Sequence, residues 1–289
     1  MIFKNLLTDL RALLGPNKRD GVGNKAPSTL ERETSNASTT VSSSSSSSTE
    51  TSPRHADATK TEDCDQELHV EGLEQSPIDI CALDSELVLQ DDEAIQVVLG
   101  DAAHVHIAHN GSNFHVEWLG DEASRSCIKI NGKTFYAVQF HFHAPSEHTL
   151  DGQHEAMELH LVHQAADGSL AVVGLFFRAG KENAFLAQFW KDLPAMPTDG
   201  EHVTVPSSTK ISAASLHLLE GKFFRYRGSL TTPPYSEGVE WIVLQDVAEA
   251  SPAQLAHYLS TIPHANARDV QPRNHRLVTL RQCACAASA

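Results

Sequence analysis

Gln139-Phe140-His141-Phe142-His143 places two imidazoles two residues apart inside an alternating, β-rich run. In an extended strand the side chains at i and i+2 share a face, so Gln139, His141 and His143 point one way and Phe140 and Phe142 the other. Glu158-Leu159-His160 repeats the pattern, with Glu158 and His160 on one face and Met157, Leu159 and Leu161 on the other. If the two strands pair, three imidazoles converge. Imidazole is the commonest protein metal ligand. Three of them leave the fourth position of a tetrahedral zinc ion open, as in a catalytic rather than a closed structural site. A ligating imidazole usually gives its other N–H to a carboxylate or amide oxygen, and Gln139 and Glu158 are the expected acceptors. The competing reading is a chance His-x-His in a chain with 17 histidines; the third histidine and both acceptors weigh against it.

The elements that must carry these residues are mostly strands. Alternating or β-rich runs occur at His104–Ala108, Phe114–Leu119, Cys127–Ile130, Ala137–His143, Ala156–His163, Leu170–Arg178 and Glu240–Val247. Asn110-Gly111, Asn131-Gly132 and Asp167-Gly168 supply turn signals between them. Helical patterning is confined to Asn183–Leu193 and Pro252–Thr261, the latter opened by Ser251 as N-cap with proline at the first helical position. A mainly β fold in a single domain over residues 63–282 follows.

Ahead of it, 15 of the 19 residues from Thr34 to Ser52 are Ser or Thr. That segment has too little to bury and is expected to be disordered. Ile2, Phe3, Leu6, Leu7, Leu10, Leu13 and Leu14 recur at helical spacing near the start, reading either as a targeting helix over 1–15 or as part of an inert extension. Residues 1–62 carry a net charge of +1 and the remainder −16, so the acidic excess of the chain, −15 overall, belongs to the folded part. That balance argues against nucleic acid as a partner, and no run approaches the roughly 18 apolar residues of a membrane span. The five cysteines are too few, and odd in number, for a dense disulfide framework, and the lack of a Cys-x-x-Cys pair disfavours a cysteine zinc site. Residues 283–289 read as a flexible tail.

His141-x-His143 followed by Glu147 also resembles the first cupin motif, but the glycines that motif needs are replaced by Phe135 and His154. A longer match lies elsewhere. Ser146-Glu147-His148-Thr149-Leu150 through Glu158-Leu159-His160-Leu161-Val162 resembles the signature of the alpha-class carbonic anhydrases. The likeness extends upstream to Gln75-Ser76-Pro77-Ile78-Asp79-Ile80. Downstream it takes in Gly228-Ser229-Leu230-Thr231-Thr232-Pro233-Pro234 and Glu237–Leu244, and closes on Asn266, Arg268 and Gln271-Pro272. The short Ala144-Pro145 link is similar to that of bacterial, plant and algal members.

The resemblance implies a twisted, mostly antiparallel central sheet with a few short peripheral helices, zinc at the bottom of a conical cleft, and reversible hydration of CO2 to bicarbonate. It implies His141, His143 and His160 as zinc ligands, held in place by Gln139, Glu158 and Asn266. Glu147 and Thr231 match a relay in which the threonine hydroxyl accepts from zinc-bound hydroxide and donates to the carboxylate. Val162, Val172, Leu230, Val239 and Trp241, with Thr232, match the CO2 pocket; by residue type alone the five apolar ones read equally as ordinary core. Esterase activity is a secondary expectation. The rival within this architecture is a slow or non-catalytic zinc protein, whose mark would be loss of a ligand histidine.

Four positions depart from the family pattern. Ser112 stands where the best-known members carry a proton-shuttling histidine, and a serine hydroxyl does not titrate near neutrality. His115 is the expected replacement, with His109 the weaker candidate and a neutral structural His115 the alternative. Glu155 replaces an aromatic or histidine, and the aromatic segment usual before Gln75 is missing. Tyr235 occupies a position where secreted members often carry a disulfide cysteine. Together with a leader unlike a secretory signal, Tyr235 points to a cytoplasmic or organellar, reducing compartment.

Overall fold

The computed structural model describes residues 72–282 apart from 83–84, 88–94, 110–112, 120–124, 196–202, 208–209, 219 and 263. The targeting helix, the Ser/Thr-rich linker, Ser112, Asn110-Gly111 and the tail at 283–289 lie outside the described residues. Along the chain the strands are β1 (Asp79–Ile80), β2 (Glu86–Leu87), β3 (Ile95–Val98), β4 (Val105–His109), β5 (Phe114–Trp118), β6 (Cys127–Ile130), β7 (Lys133–His143) and β8 (Thr149–Leu150). They continue with β9 (Gln153–His154), β10 (Met157–Ala165), β11 (Leu170–Ala179), β12 (Val203–Pro206), β13 (Lys222–Ser229), β14 (Glu237–Leu244), β15 (Ala248–Ala250) and β16 (Thr279–Gln282).

All seven strands expected from alternation are present, Cys127–Ile130 with unchanged bounds and the others with shifted ends, and both glycine turns within the described residues form. At Asn131-Gly132 the two φ angles are 52° and 78°, the doubly left-handed pair that closes a two-residue hairpin between β6 and β7. The helix over Pro252–Thr261 begins as expected: the Ser251 side chain accepts from the Gln254 N–H, and Gln254 returns a bond to the Ser251 N–H. Asn183–Leu193 does not form one helix. Asn183 caps a single turn over Ala184–Ala187, and a 3-10 turn follows at Trp190–Asp192. Here packing of Phe185, Phe189 and Trp190 into the core prevails over helical continuity.

Thirteen of the described strands form one sheet, ordered β12-β4-β5-β7-β10-β11-β14-β13-β16-β2, with β6, β3 and β15 attached beside that path. Most pairs are antiparallel, but β11 runs parallel to β14 and to β15, and β16 parallel to β2. The sheet is therefore mixed. Returning from β11 to β14 consumes a long crossover, which carries the short helix, β12 and β13.

Strand alternation divides this sheet into two faces. Phe114, Val116, Phe140, Phe142, Leu159, Leu161, Val173, Leu175 and Ile242 fill the larger core together with Leu255 and Tyr258 of the long helix. The other face carries His141, His143, Glu158 and His160, and beyond them a second apolar cluster containing Val172, Phe176, Tyr226, Val239, Trp241 and Val243. The phenylalanines between the histidines thus anchor the strand while the imidazoles stand on the opposite side.

Candidate metal centre

Register brings the histidines together. His141 of β7 lies directly opposite His160 of β10, and His143 opposite Glu158. On the far side of β7, His115 of β5 is opposite His141, so His115, His141 and His160 form one row across three strands. One nitrogen from each of His141, His143 and His160 lies within 4.8 Å of the others. His143 and His160 are each 1% exposed and His141 9%.

The outer nitrogens of two of these rings are already committed, and the third faces a carboxylate. His141 Nδ1–H donates to Gln139 Oε1 at 2.9 Å. His143 Nδ1–H donates to the Asn266 carbonyl at 2.8 Å. An amide oxygen can only accept, so both rings must be protonated at Nδ1 and keep a lone pair on Nε2. His160 is held the other way round, with Nε2 3.0 Å from Glu158 Oε1. Burial, followed by the neighbouring histidines, drives His141 well below the usual histidine range, and burial lowers His143. Both are neutral at pH 7. Burial opposes protonation of His160 too, but the Glu158 charge and hydrogen bond outweigh it. The donor set fits a metal ion, and His143 Nε2 is a buried nitrogen with no hydrogen-bond partner.

Glu158 does more than face His160. Its Oε2 accepts the backbone N–H groups of Glu147 and His148 at 2.8 and 2.9 Å, and its Oε1 accepts His148 Nδ1–H at 2.8 Å. Burial raises its pKa, yet His148 and His160 more than offset this and hold the carboxyl well below its ordinary value. Trp241 closes the floor, with ring centroids 4.9 Å from His160 and 4.7 Å from His148. Sequence reasoning missed the part played by His148 and Tyr226; a histidine beside Glu147 on a buried strand exit was the available signal.

Asn266 acts through three groups. Its carbonyl holds His143, its Oδ1 accepts the Ala144 N–H at 2.9 Å, and its Nδ2 donates to the Phe142 carbonyl and the Tyr258 hydroxyl. Tyr258 itself donates to the Phe142 carbonyl at 2.7 Å, so the capped helix locks the end of β7 that carries His141 and His143.

Glu147 is 1% exposed. Its Oε1 accepts the Arg268 N–H at 2.9 Å, and its Oε2 has no hydrogen-bond partner. Thr231, also buried, follows β13 in the turn that leads to β14. Val172, Val239 and Trp241 lie in the second apolar cluster, with Val162 and Leu230 packed against it; Thr232 is exposed. His115 is half-buried, its ring 5.2 Å from that of His141. His109 belongs to the other face. It is fully buried opposite Phe114, with Nε2 3.3 Å from the Thr261 carbonyl, so the side of the strand it occupies removes it from the metal face.

Comparison with known proteins gives one consistent result. The family model of the eukaryotic-type carbonic anhydrases matches residues 59–282. A carbonic anhydrase of Nostoc sp. is 38% identical over 207 residues, 72% of this chain and 75% of the relative. Alpha carbonic anhydrase 3 of Arabidopsis thaliana is 37% identical over 216 residues, 73% of this chain and 75% of the relative. Among solved structures, the alpha-carbonic anhydrase of Thermovibrio ammonificans in complex with the inhibitor sulfanilamide is similar with a TM-score of 0.65 at 37% identity, covering 72% of this chain and 87% of that one.

Proposed function

Because this chain belongs to the eukaryotic-type, or alpha, carbonic anhydrase family, and its reaction is the reversible hydration of CO2 to bicarbonate and a proton, we propose that His141, His143 and His160 hold zinc and that Thr231 and Glu147 orient the attack on CO2. Zinc in a three-imidazole site acidifies water enough to make it nucleophilic at neutral pH. The residues around it supply direction. Glu147 Oε2 is a buried acceptor without a donor, and a carboxylate can only accept. Pointing the Thr231 hydroxyl proton at it leaves the threonine oxygen to accept from the nucleophile, whose free lone pair then faces carbon. Val162, Val172, Leu230, Val239 and Trp241 form an apolar wall suited to a neutral, apolar substrate, and Thr232 borders it. His115, beside His141, passes the released proton outward.

The observation that carries this reading is the row His141–His160 with His143 beside it, in which the outer nitrogens of His141 and His143 donate to oxygens and that of His160 lies 3.0 Å from the Glu158 carboxylate. The rival, a slow or non-catalytic zinc protein, would lack a ligand, and all three are present. Stopped-flow CO2 hydration by the full chain, with zinc content measured before and after chelation, is the test. Zinc-dependent turnover blocked by a sulfonamide supports the reading; a folded, zinc-loaded sample without activity overturns it.

A further inference from the structure

Arg268 touches Glu147 and the turn that carries Thr231 with different parts of itself. Its backbone N–H donates to Glu147 Oε1 at 2.9 Å. Its guanidinium carbon lies 3.8 Å from the ring centroid of Tyr235, in the same turn as Thr231. Inside that turn the Leu230 N–H donates to the Ser236 carbonyl and the Tyr235 N–H to the Thr232 carbonyl, both at 2.9 Å. These bonds shape the turn but do not locate it relative to Glu147.

Location comes from two anchors. At the near end Ser229 and Ser76 exchange hydrogen bonds, N–H to hydroxyl in each direction. At the far end Gln75 Nε2 donates to the Tyr235 carbonyl at 3.1 Å, while Arg268 Nη1 donates to Gln75 Oε1 at 3.1 Å and to the Ser76 carbonyl at 2.6 Å. Tyr235, Gln75 and Arg268 thus close a ring of contacts. Tyr235 adopts φ 60°, a left-handed conformation that a tyrosine keeps only where its surroundings over-determine it.

We propose that Tyr235 is a positioning residue: stacked on Arg268, it locks the Thr231 turn against the segment that holds Glu147 and so sets the spacing of the pair. The proposal rests on the reading of Thr231 and Glu147 given above. Its test is kcat/KM for CO2 hydration in wild type, Tyr235→Asn, Thr231→Ala and the double variant, with zinc content and thermal midpoint measured alongside. Asparagine suits the left-handed backbone but has no ring. Tyr235→Asn is expected to lower kcat/KM about tenfold, mainly through kcat, and Tyr235→Phe to retain at least about half of it, because the ring survives. In the Thr231→Ala background the Tyr235→Asn loss should shrink below about twofold, since no hydroxyl remains to be placed. Equal losses in both backgrounds, or wild-type activity in Tyr235→Asn, overturn the proposal. Wild-type activity in Thr231→Ala instead overturns the Thr231–Glu147 reading and this proposal with it. Should Tyr235→Asn not fold, Arg268→Leu, which keeps the backbone bond to Glu147, carries the same cycle.

Discussion

The Tyr226 hydroxyl donates to His148 Nε2 at 2.6 Å across 78 residues of sequence. The direction is fixed because His148 Nδ1–H is given to Glu158, leaving Nε2 as the acceptor. Ser76, 2.9 Å from the same hydroxyl, then donates to Tyr226. Polarity runs one way, from Ser76 through Tyr226 and His148 to the carboxylate beside His160. Burial pushes the Tyr226 phenol far above its usual range, so it remains a donor at any working pH.

Tyr226→Phe leaves His148 Nε2 buried without a donor. Loss of one buried partner costs about 1–3 kcal/mol, to be read from urea unfolding of the metal-loaded chain. Zinc affinity should fall on the order of tenfold as Glu158 loses its fixed orientation. Unchanged stability would show that the hydroxyl does not hold His148.

Gly174 of β11 stands opposite His160, and a Cβ there would come within 3.0 Å of Glu158 Oε1 and 3.5 Å of a Val243 methyl. Gly174→Ala therefore requires the carboxylate to give by a few tenths of an ångström, which loosens its contacts with His148 and His160. Zinc dissociation measured by chelator competition should accelerate by roughly 10-fold or more, with circular dichroism unchanged. Wild-type zinc release would mean that the carboxylate has room to retreat.

His115→Ala removes the ionisable side chain beside His141. The expected result is a loss of turnover in dilute buffer of roughly 10-fold or more, restored by added imidazole buffer. If turnover is equally insensitive to buffer in both proteins, His115 is a neutral structural residue.

His163, on β10 outside the metal centre, is 3% exposed, and its Nδ1–H donates to the Leu161 carbonyl at 3.0 Å. Burial pushes its pKa down to about 4, against an ordinary 6.5. Between those values the unfolded chain binds the proton and the folded chain does not, so stability rises with pH through this window. The contribution is complete above the unfolded value and is lost as pH falls toward 4. Comparing pH 7 with pH 5, wild type should lose about 2 kcal/mol more than His163→Asn in urea unfolding. Equal losses would place the acid sensitivity elsewhere.

Most of what positions the site was legible where alternation is strict, as in β7 and β10. It was illegible where strands are only two residues long, as with β1, β2, β8 and β9, because so short a run has no period to read. β13 is long enough, and Phe224 and Tyr226 do alternate with Arg225 and Arg227. Phe223 beside Phe224 masks that pattern, since each packs into a different core. At the metal centre the expected acceptors Gln139 and Glu158 are in place. Asn266 holds His143 through its backbone carbonyl, a group that no residue identity announces.

By itself the sequence determined which side chains share a face, because in an extended strand that is a local matter of odd and even positions. It therefore settled that His141 and His143 stand together, that Glu158 and His160 do, and that phenylalanine and leucine lie beneath them. Only the tertiary structure decided the register of β7 against β10, and a slip of one residue in either strand would have turned that strand's histidines into the core. It also assigned His109 to the far face, carried Asn266 across 123 residues to His143, and joined Tyr235 to Arg268. Those relationships depend on how distant segments pack, and distance along the chain holds no record of them.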